Sequence, residues 1–317
     1  MTSLRLRSAE GLLALLGLPG IGPARAIRLA TAFETADALR DADPNVLQRL
    51  LDHPVSARDL LGLAEPPAAP DGIRRVGYFD EGYPHGLRDL SVPPAVLWVV
   101  GTLPDVPSLA IVGTRNADKV GLMAAQRVAM AAVAAGFGVV SGLALGIDAA
   151  AQNAAVEAGG RTWAVLGGGV DRPTPVKNVD LAARIVQGGG GLIAEVAPGS
   201  RTTGPALVAR DRLQAAMSRV TVVVQSGIPS GTLHTVRWTL LLRRPLAVLA
   251  PPAAHLISSS WAGNEALIDP EGCNPSLLGA RGQLASEIGL RRPVADLVVR
   301  GREDYPRLWA IATGDLN

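Results

Sequence analysis

LAIVGTRNADKVGLMAAQRVAMAAVAAGFGVVSGLALGID, residues Leu109 to Asp148, sets the architecture of the chain. A short apolar run, Leu109 to Val112, stops at Gly113-Thr114-Arg115. An amphipathic stretch follows from about Lys119 to Ala135, broken by Gly136 and Gly138. A second apolar run then stops at Ser141-Gly142. Strand, loop, helix, strand make one βαβ unit. Both strands end in small and polar residues, as a loop does when its backbone lies against a phosphate. An ordinary βα turn reads the same way, so the later strand ends decide.

Those ends repeat the pattern. Strand-like runs recur at 162–166, 192–195, 220–224 and 246–250, with helical stretches near 148–158, 178–187, 209–217 and 231–242. This alternation predicts a Rossmann-like α/β domain: an open, mainly parallel sheet with helices on both faces. Ligands of such sheets sit outside the carboxyl ends of the strands. The loops expected there are Gly113–Asn116, Ser141–Ile147, Gly167–Asn178, Glu195–Val208 and Gln225–Gly231. With the helix that follows, they carry Arg115, Arg172, Lys177, Arg201, Arg210 and Arg212 against Asp148, Asp171, Glu195 and Asp211. The edge is glycine-rich, hydroxyl-rich and net positive, which suits a phosphate-bearing ligand. Asp148 opens a helix, where the dipole favours an acid, and is placed to brace the loop before it.

Composition agrees. Aromatic residues are only 3% of the chain, so the core is built from Ala, Leu and Val, as in a helix-covered parallel sheet. A net charge of +2 leaves nucleic-acid affinity to local clustering of arginines, since Lys119 and Lys177 are the only lysines. The single cysteine, Cys273, excludes a disulfide framework and suits a reducing cytoplasm. The apolar run Leu12 to Leu18 is too short for a membrane helix, and no signal peptide is expected.

Ahead of the α/β region, residues 8–63 read as a helical unit. Its key piece is LGLPGIGPARAIRLA, Leu16 to Ala30: helix end, Gly-Ile-Gly turn, then a helix with Pro23 in its first turn. This is a helix-hairpin-helix pattern. Gly20 and Gly22 let turn N–H groups meet a nucleic-acid phosphate, and Arg25 and Arg28 add charge. A plain packing hairpin is the alternative. The domain limits expected are 1–66 for the helical domain, 67–71 for a linker, 72–270 for the α/β domain and 271–317 for a tail. Within 72–270, IRRVGYFDEGYPHGLRDLSVPPAVLWVVG suggests strands at Ile73–Phe79 and Val96–Val100 around a Tyr-Pro turn.

Several chemistries lack their residues. No G-x-G-x-x-G opens a helix after the first strand, and no Walker A run occurs. His53, His85, His234 and His255 show no metal spacing, and Ser141 and Ser230 have no evident histidine partner. No metal, cofactor or catalytic residue is expected.

In order, VGTRNAD, SGLALGIDAAAQ, TWAVLGGGVDRPTPVKNVDLAARI, AEVAPGS, VARDRLQAAMS and SGTLHTVRWTLLLRRPLAVLAPP resemble the DprA/Smf proteins, over residues 72–270. LPGIGPARA resembles the small SAM-like domain that precedes the main domain there. The resemblance implies a non-enzymatic protein that protects single-stranded DNA in natural transformation, loads the RecA recombinase and acts as a homodimer. It places DNA contacts at Gly113, Thr114, Arg115, Ser141, Gly142, Gly146, Lys177, Asn178, Arg210, Arg212, Ser230, Gly231 and Thr232, with Ile147 and Asp148 closing the second loop. The chain departs from the family pattern at Thr174 for a tyrosine, Gln152 for a histidine, Val196-Ala197 for Tyr-Pro, and Asp211 for the asparagine between two arginines. The 47 residues after Pro270 are few for the winged helix many relatives carry. Two alternatives come from the wider superfamily: a nucleotide-sensing module, and a nucleotide phosphoribohydrolase. The second lacks its catalytic glutamate and second glycine in Pro229-Ser230-Gly231-Thr232. The apolar stretch Leu233–Leu249 suggests either a dimer surface or a helix buried on the sheet.

Overall fold

The structure is a computed structural model that describes residues 3–51, 62–253, 258–269, 271–279, 286 and 293–314. His53 and His255 lie outside the described residues. The chain divides into two compact units, Met1–Val99 and Val100–Asn317. Among the described residues no helix is long and apolar enough to cross a membrane.

In the first unit, α1 (Ala9–Leu16), α2 (Pro23–Ala32), α3 (Ala36–Arg40) and α4 (Pro44–Leu51) close around Leu12, Leu15, Leu29, Leu39 and Leu51, all fully buried. Ser8 caps α1, its Oγ accepting from the Gly11 amide at 3.1 Å. Gly20, at φ 74°, makes the turn before α2, and Pro23 fills the first helical position. Arg25 faces back into the hairpin: Nη1 donates to the Gly20 carbonyl at 2.7 Å and Nε to that of Leu51 at 2.9 Å. It therefore pins the turn, while Arg28 is exposed. Strands β1 (Arg74–Gly77) and β2 (Val96–Gly101) pair antiparallel, from Arg74 opposite Val99 to Gly77 opposite Val96.

The second unit holds β3 (Ser108–Val112), β4 (Gly138–Ser141), β5 (Thr162–Leu166), β6 (Gly191–Ala194), β7 (Val220–Val223), β8 (Leu246–Leu249) and β9 (Leu297–Val299). They lie in the order β6-β5-β4-β3-β7-β8-β9, and each neighbouring pair is parallel. Side chains alternate between two cores, as the pleat requires. Leu109, Ile111, Val220, Val222 and Ala247 face α5 (Lys119–Ala134), α6 (Ile147–Glu157) and α11 (Tyr305–Thr313). Ala110, Val112, Val223, Leu246 and Val248 face α9 (Thr232–Leu241) and α10 (Ala262–Ile268). Helices α7 (Val179–Gln187) and α8 (Gly204–Ala216) complete the layers. The expected Rossmann-like sheet is present.

Two segments differ from the sequence reading. Helix α8 begins at Gly204, five residues before the first apolar periodicity, because Thr203 caps it and accepts from the Ala206 amide at 3.3 Å. Residues read only as a tail supply β9, too short at three residues to show alternation, and α11, whose Leu308 and Ala312 complete one core. Helix α9 buries Leu233, Val236 and Leu240 in the other core, so packing on the sheet accounts for that apolar stretch.

The chain runs outward through β3, β4, β5 and β6, then returns to place β7 on the other flank of β3. The helices after β3 and β7 cover opposite faces, which opens a crevice beyond the carboxyl ends of these two strands. Leu308 is fully buried against this sheet. Leu308→Ala should cost about 2–5 kcal/mol, as for a core leucine cavity. Urea unfolding checks it, and a loss below about 1 kcal/mol would detach α11 from the core.

Candidate functional site

A cleft of about 420 Å³ fills that crevice. Its rim is Val112–Arg115 after β3, Ala144 and Asp148 after β4, one face of α8, and Pro229–Thr232 with Thr235 after β7. The loops are stitched together by backbone hydrogen bonds. Thr114 donates to Gln225 at 2.7 Å, and Ile147 donates to Thr114 at 3.2 Å. Gly146 adopts φ 79° where a Cβ would stand 2.3 Å from the Thr114 carbonyl, so this crossing needs glycine.

Several residues placed at the site by sequence, Ser141, Gly142 and Asn178 among them, lie behind the cleft and support its loops rather than line it. Ser141 is fully buried and donates to the Ile111 carbonyl at 2.7 Å. Asn178 donates to the Leu143 carbonyl at 2.8 Å. Gln152, standing where relatives were expected to carry histidine, accepts from the Leu143 amide at 3.0 Å and donates to the Trp163 carbonyl at 3.1 Å. Gly142 donates to Asp148 Oδ2 at 3.1 Å. A Cβ on Gly142 would fall 1.4 Å from Arg210 Nη1, so a glycine is required to admit that guanidinium.

Arg210 forms the floor. It is only 6% exposed. Nη1 donates to the Val165 carbonyl at 2.9 Å, Nε lies 3.2 Å from Asp211 Oδ1, and Nη2 lies 4.0 Å from Asp148 Oδ2. Two carboxylates thus share one buried cation. Burial raises Asp148 above the usual carboxylate range, with Arg210 and the Gly142 amide opposing it. Burial likewise pushes Asp211 up to about 7 against the pull of Arg210, and the neighbouring Asp148 pushes the same way.

The cations of the strand-end edge therefore separate. Arg115 is exposed, lines the cleft and has no ion pair among the described residues. Asp118, its nearest acid in sequence, instead caps α5 through the Gly121 amide at 2.8 Å and accepts from Gln225 at 2.8 Å and Trp261 at 2.9 Å. Arg212 lies two positions past Arg210, outside the cleft lining, and is paired with Glu195. Lys177 is exposed but is not among the cleft residues either. Ser230, Gly231 and Thr232 line it as expected. Thr174, where a tyrosine was expected, bonds through its hydroxyl to that of Thr202 at 2.9 Å.

One contributor, Gln214, escaped the sequence reading, whereas Thr232 was placed here by it. Gln214 and Thr232 are buried, yet Gln214 Oε1 and Thr232 Oγ1 have no hydrogen-bond partner among the described residues, and both residues line the cleft. Leu207, Arg210, Asp211 and Gln214 follow the three-and-four spacing of one helix face, the signal that could have collected them. Among the described residues no cluster of histidine, cysteine, aspartate and glutamate could hold a metal.

The parallel sheet with its switch-point cleft at the carboxyl edge is that of a Rossmann-like protein. Residues 74–275 match the family of DNA recombination-mediator protein A, and the chain belongs to that family. Residues 12–52 match the SAM-like helix-hairpin-helix tandem. The putative DNA processing protein DprA of Mycobacterium tuberculosis is 40% identical over 179 residues, 55% of this chain and 45% of that protein. The chain thus matches about half the length of that relative. The structure of DprA from Streptococcus pneumoniae covers 82% of this chain and 92% of its own at TM-score 0.64 and 24% identity, which shows a shared fold. DNA processing protein A from Helicobacter pylori, a structure that describes its single-stranded DNA binding mode, aligns at TM-score 0.55 and 26% identity over 68% of this chain and 94% of its own.

Removing Arg210 leaves two carboxylates buried without a cation. Arg210→Ala should cost about 3–5 kcal/mol of stability, measured by urea unfolding. A variant as stable as the parent would show that the guanidinium is not the floor of the cleft. Asp211 gives a pH signature. Its native pKa lies above its unfolded value, so its contribution is full below about pH 4 and is lost as pH rises through about 7. Asp211→Asn should gain Tm over the parent at pH 8 and little at pH 4. Equal differences at both values would mean that Asp211 titrates normally.

Proposed function

We propose that this chain binds single-stranded DNA without sequence preference, with its phosphates at the switch-point cleft. In this reading it protects DNA entering the cell in natural transformation, loads the RecA recombinase, works in the cytoplasm as a homodimer, and catalyses no reaction. The observation that carries the reading is Arg115: an exposed guanidinium at the rim of the cleft that forms no ion pair among the described residues, although its charge reaches Asp211 on the cleft floor. Its neighbours Gly113 and Thr114 are small, so a sugar-phosphate backbone can approach. Membership of the recombination-mediator family supports the same class of ligand.

The roles divide by exposure. Arg115, Ser230 and Gly231 meet the DNA directly, and the buried Thr232 lines the cleft beneath them. Arg210 holds the floor and lends charge from below. Lys177 and Arg212 contribute at most to the surrounding field, Arg212 less because Glu195 offsets it. Gly20, Gly22 and Arg28 offer a secondary contact on the helical unit, with Arg25 shaping the turn. Asp148 and Asp211, the two carboxylates in the cleft lining, are both held against Arg210.

Fluorescence anisotropy with a labelled oligothymidylate tests the site. Arg115→Ala should weaken binding by about 1–3 kcal/mol and lower the salt slope by about 0.7, one phosphate contact on a single strand. Unchanged affinity and slope would refute the assignment. Tight binding of a mononucleotide with none of the oligomer would instead establish a nucleotide sensor. A pull-down with RecA, with and without DNA, tests the loading step.

A further inference from the structure

A second cleft, of about 540 Å³, opens on the same edge of the sheet at the carboxyl ends of β8 and β9. Strands β3, β7, β8 and β9 are mutually parallel, so Val112, Leu249 and Val299 all end toward one side. Its lining includes Arg127 on α5, Arg300 and Arg302 after β9, and Tyr305 at the start of α11. The three arginines are exposed and have no ion pair among the described residues. Two acids stand close. Asp304 is engaged, accepting from the Arg300 amide at 2.7 Å, and Glu303 is exposed. The cationic balance of the cleft therefore survives. The half-buried ring of Tyr305 presents an aromatic surface beside the cations.

The two clefts share a wall. Asp118 holds Gln225, whose carbonyl accepts from Thr114 in the first cleft, and Trp261, which lines the second. Helix α5 links them: it starts four residues after Arg115 with the exposed Lys119 and carries Arg127 two turns on, about 12 Å along its axis. Arg115, Lys119, Arg127, Arg300 and Arg302 thus trace an arginine-rich path leading away from the switch point. The residues that finish it, 297–305, lie beyond the stretch matched by the family.

We propose that the β8–β9 cleft is a second single-stranded nucleic-acid subsite, in which Arg127, Arg300 and Arg302 hold phosphates and Tyr305 stacks on a base. One strand would pass from the first cleft along the start of α5 into the second. An alternating phosphate and base is the ligand that an arginine cluster with an adjoining aromatic ring is built to take. The inference rests on the first cleft binding single-stranded DNA.

The test measures anisotropy of oligothymidylates of increasing length with the full chain and with the double variant Arg300→Ala/Arg302→Ala. These side chains are exposed, so the fold should persist, and far-UV circular dichroism checks that it does. The parent should show a step up in affinity at the length that reaches the second cleft. The double variant should lose that step, by on the order of tenfold, with the salt slope for long oligomers falling by about 1.4 for two contacts. Short oligomers should bind both proteins equally. Tyr305→Ala should weaken long oligomers alone, with Tyr305→Phe restoring them. Equal affinity and slope of parent and double variant at every length would overturn the second subsite while leaving the first untouched. Failure of the parent to bind any oligomer would remove both.

Discussion

The site depends on one buried guanidinium. Arg210 bonds to the Val165 carbonyl of β5, holds Asp148 and Asp211 against it, and occupies the space that only a glycine at 142 leaves open. It thereby fixes three elements at once: the end of β5, the loop after β4 and the first half of α8. Breaking such a group costs more than forming it contributes, because two desolvated carboxylates would remain. Ser141, Gln152 and Asn178, behind the cleft, extend the same logic, their polar atoms bonded to backbone groups of the neighbouring strand and loop. Arg115 is the exposed cation at the rim of the cleft so built.

This arrangement gives Asp211 a meaning of its own. An asparagine there would bond to the guanidinium without adding charge. An aspartate places a second carboxylate beside Arg210 and titrates near neutrality. The charge beneath the cleft is therefore set by proton uptake: more positive below about 7, more negative above. Phosphate affinity at this cleft should follow that balance, strengthening as pH falls.

Much of the fold was legible because a parallel sheet covered on both faces demands continuous apolar strands, and β3 to β8 supply them. The loops ending those strands were legible for the same reason. What one dimension hid was direction. Arg115, Lys177, Arg210 and Arg212 look alike in the sequence, yet one faces the cleft, one lies apart, one is buried and one is paired with Glu195. Positions 210 and 212 stand about 200° apart on a helix, so they cannot share a face, and that spacing already separated them. Gln214 was hidden because a buried glutamine carries no motif. Strand β9 and helix α11 were hidden because three strand residues are too few to show a period. The helix-hairpin-helix turn was plain from its glycines and Pro23, but the inward turn of Arg25 was not.

The central claim is that phosphates, rather than bases, are what the cleft grips. Binding of an oligothymidylate compared with the same sequence on an uncharged methylphosphonate backbone tests it most directly. The account predicts strong, salt-dependent binding of the charged strand and loss of most of that affinity, with its salt dependence, for the neutral one. Equal binding of the two strands, insensitive to salt, would contradict it.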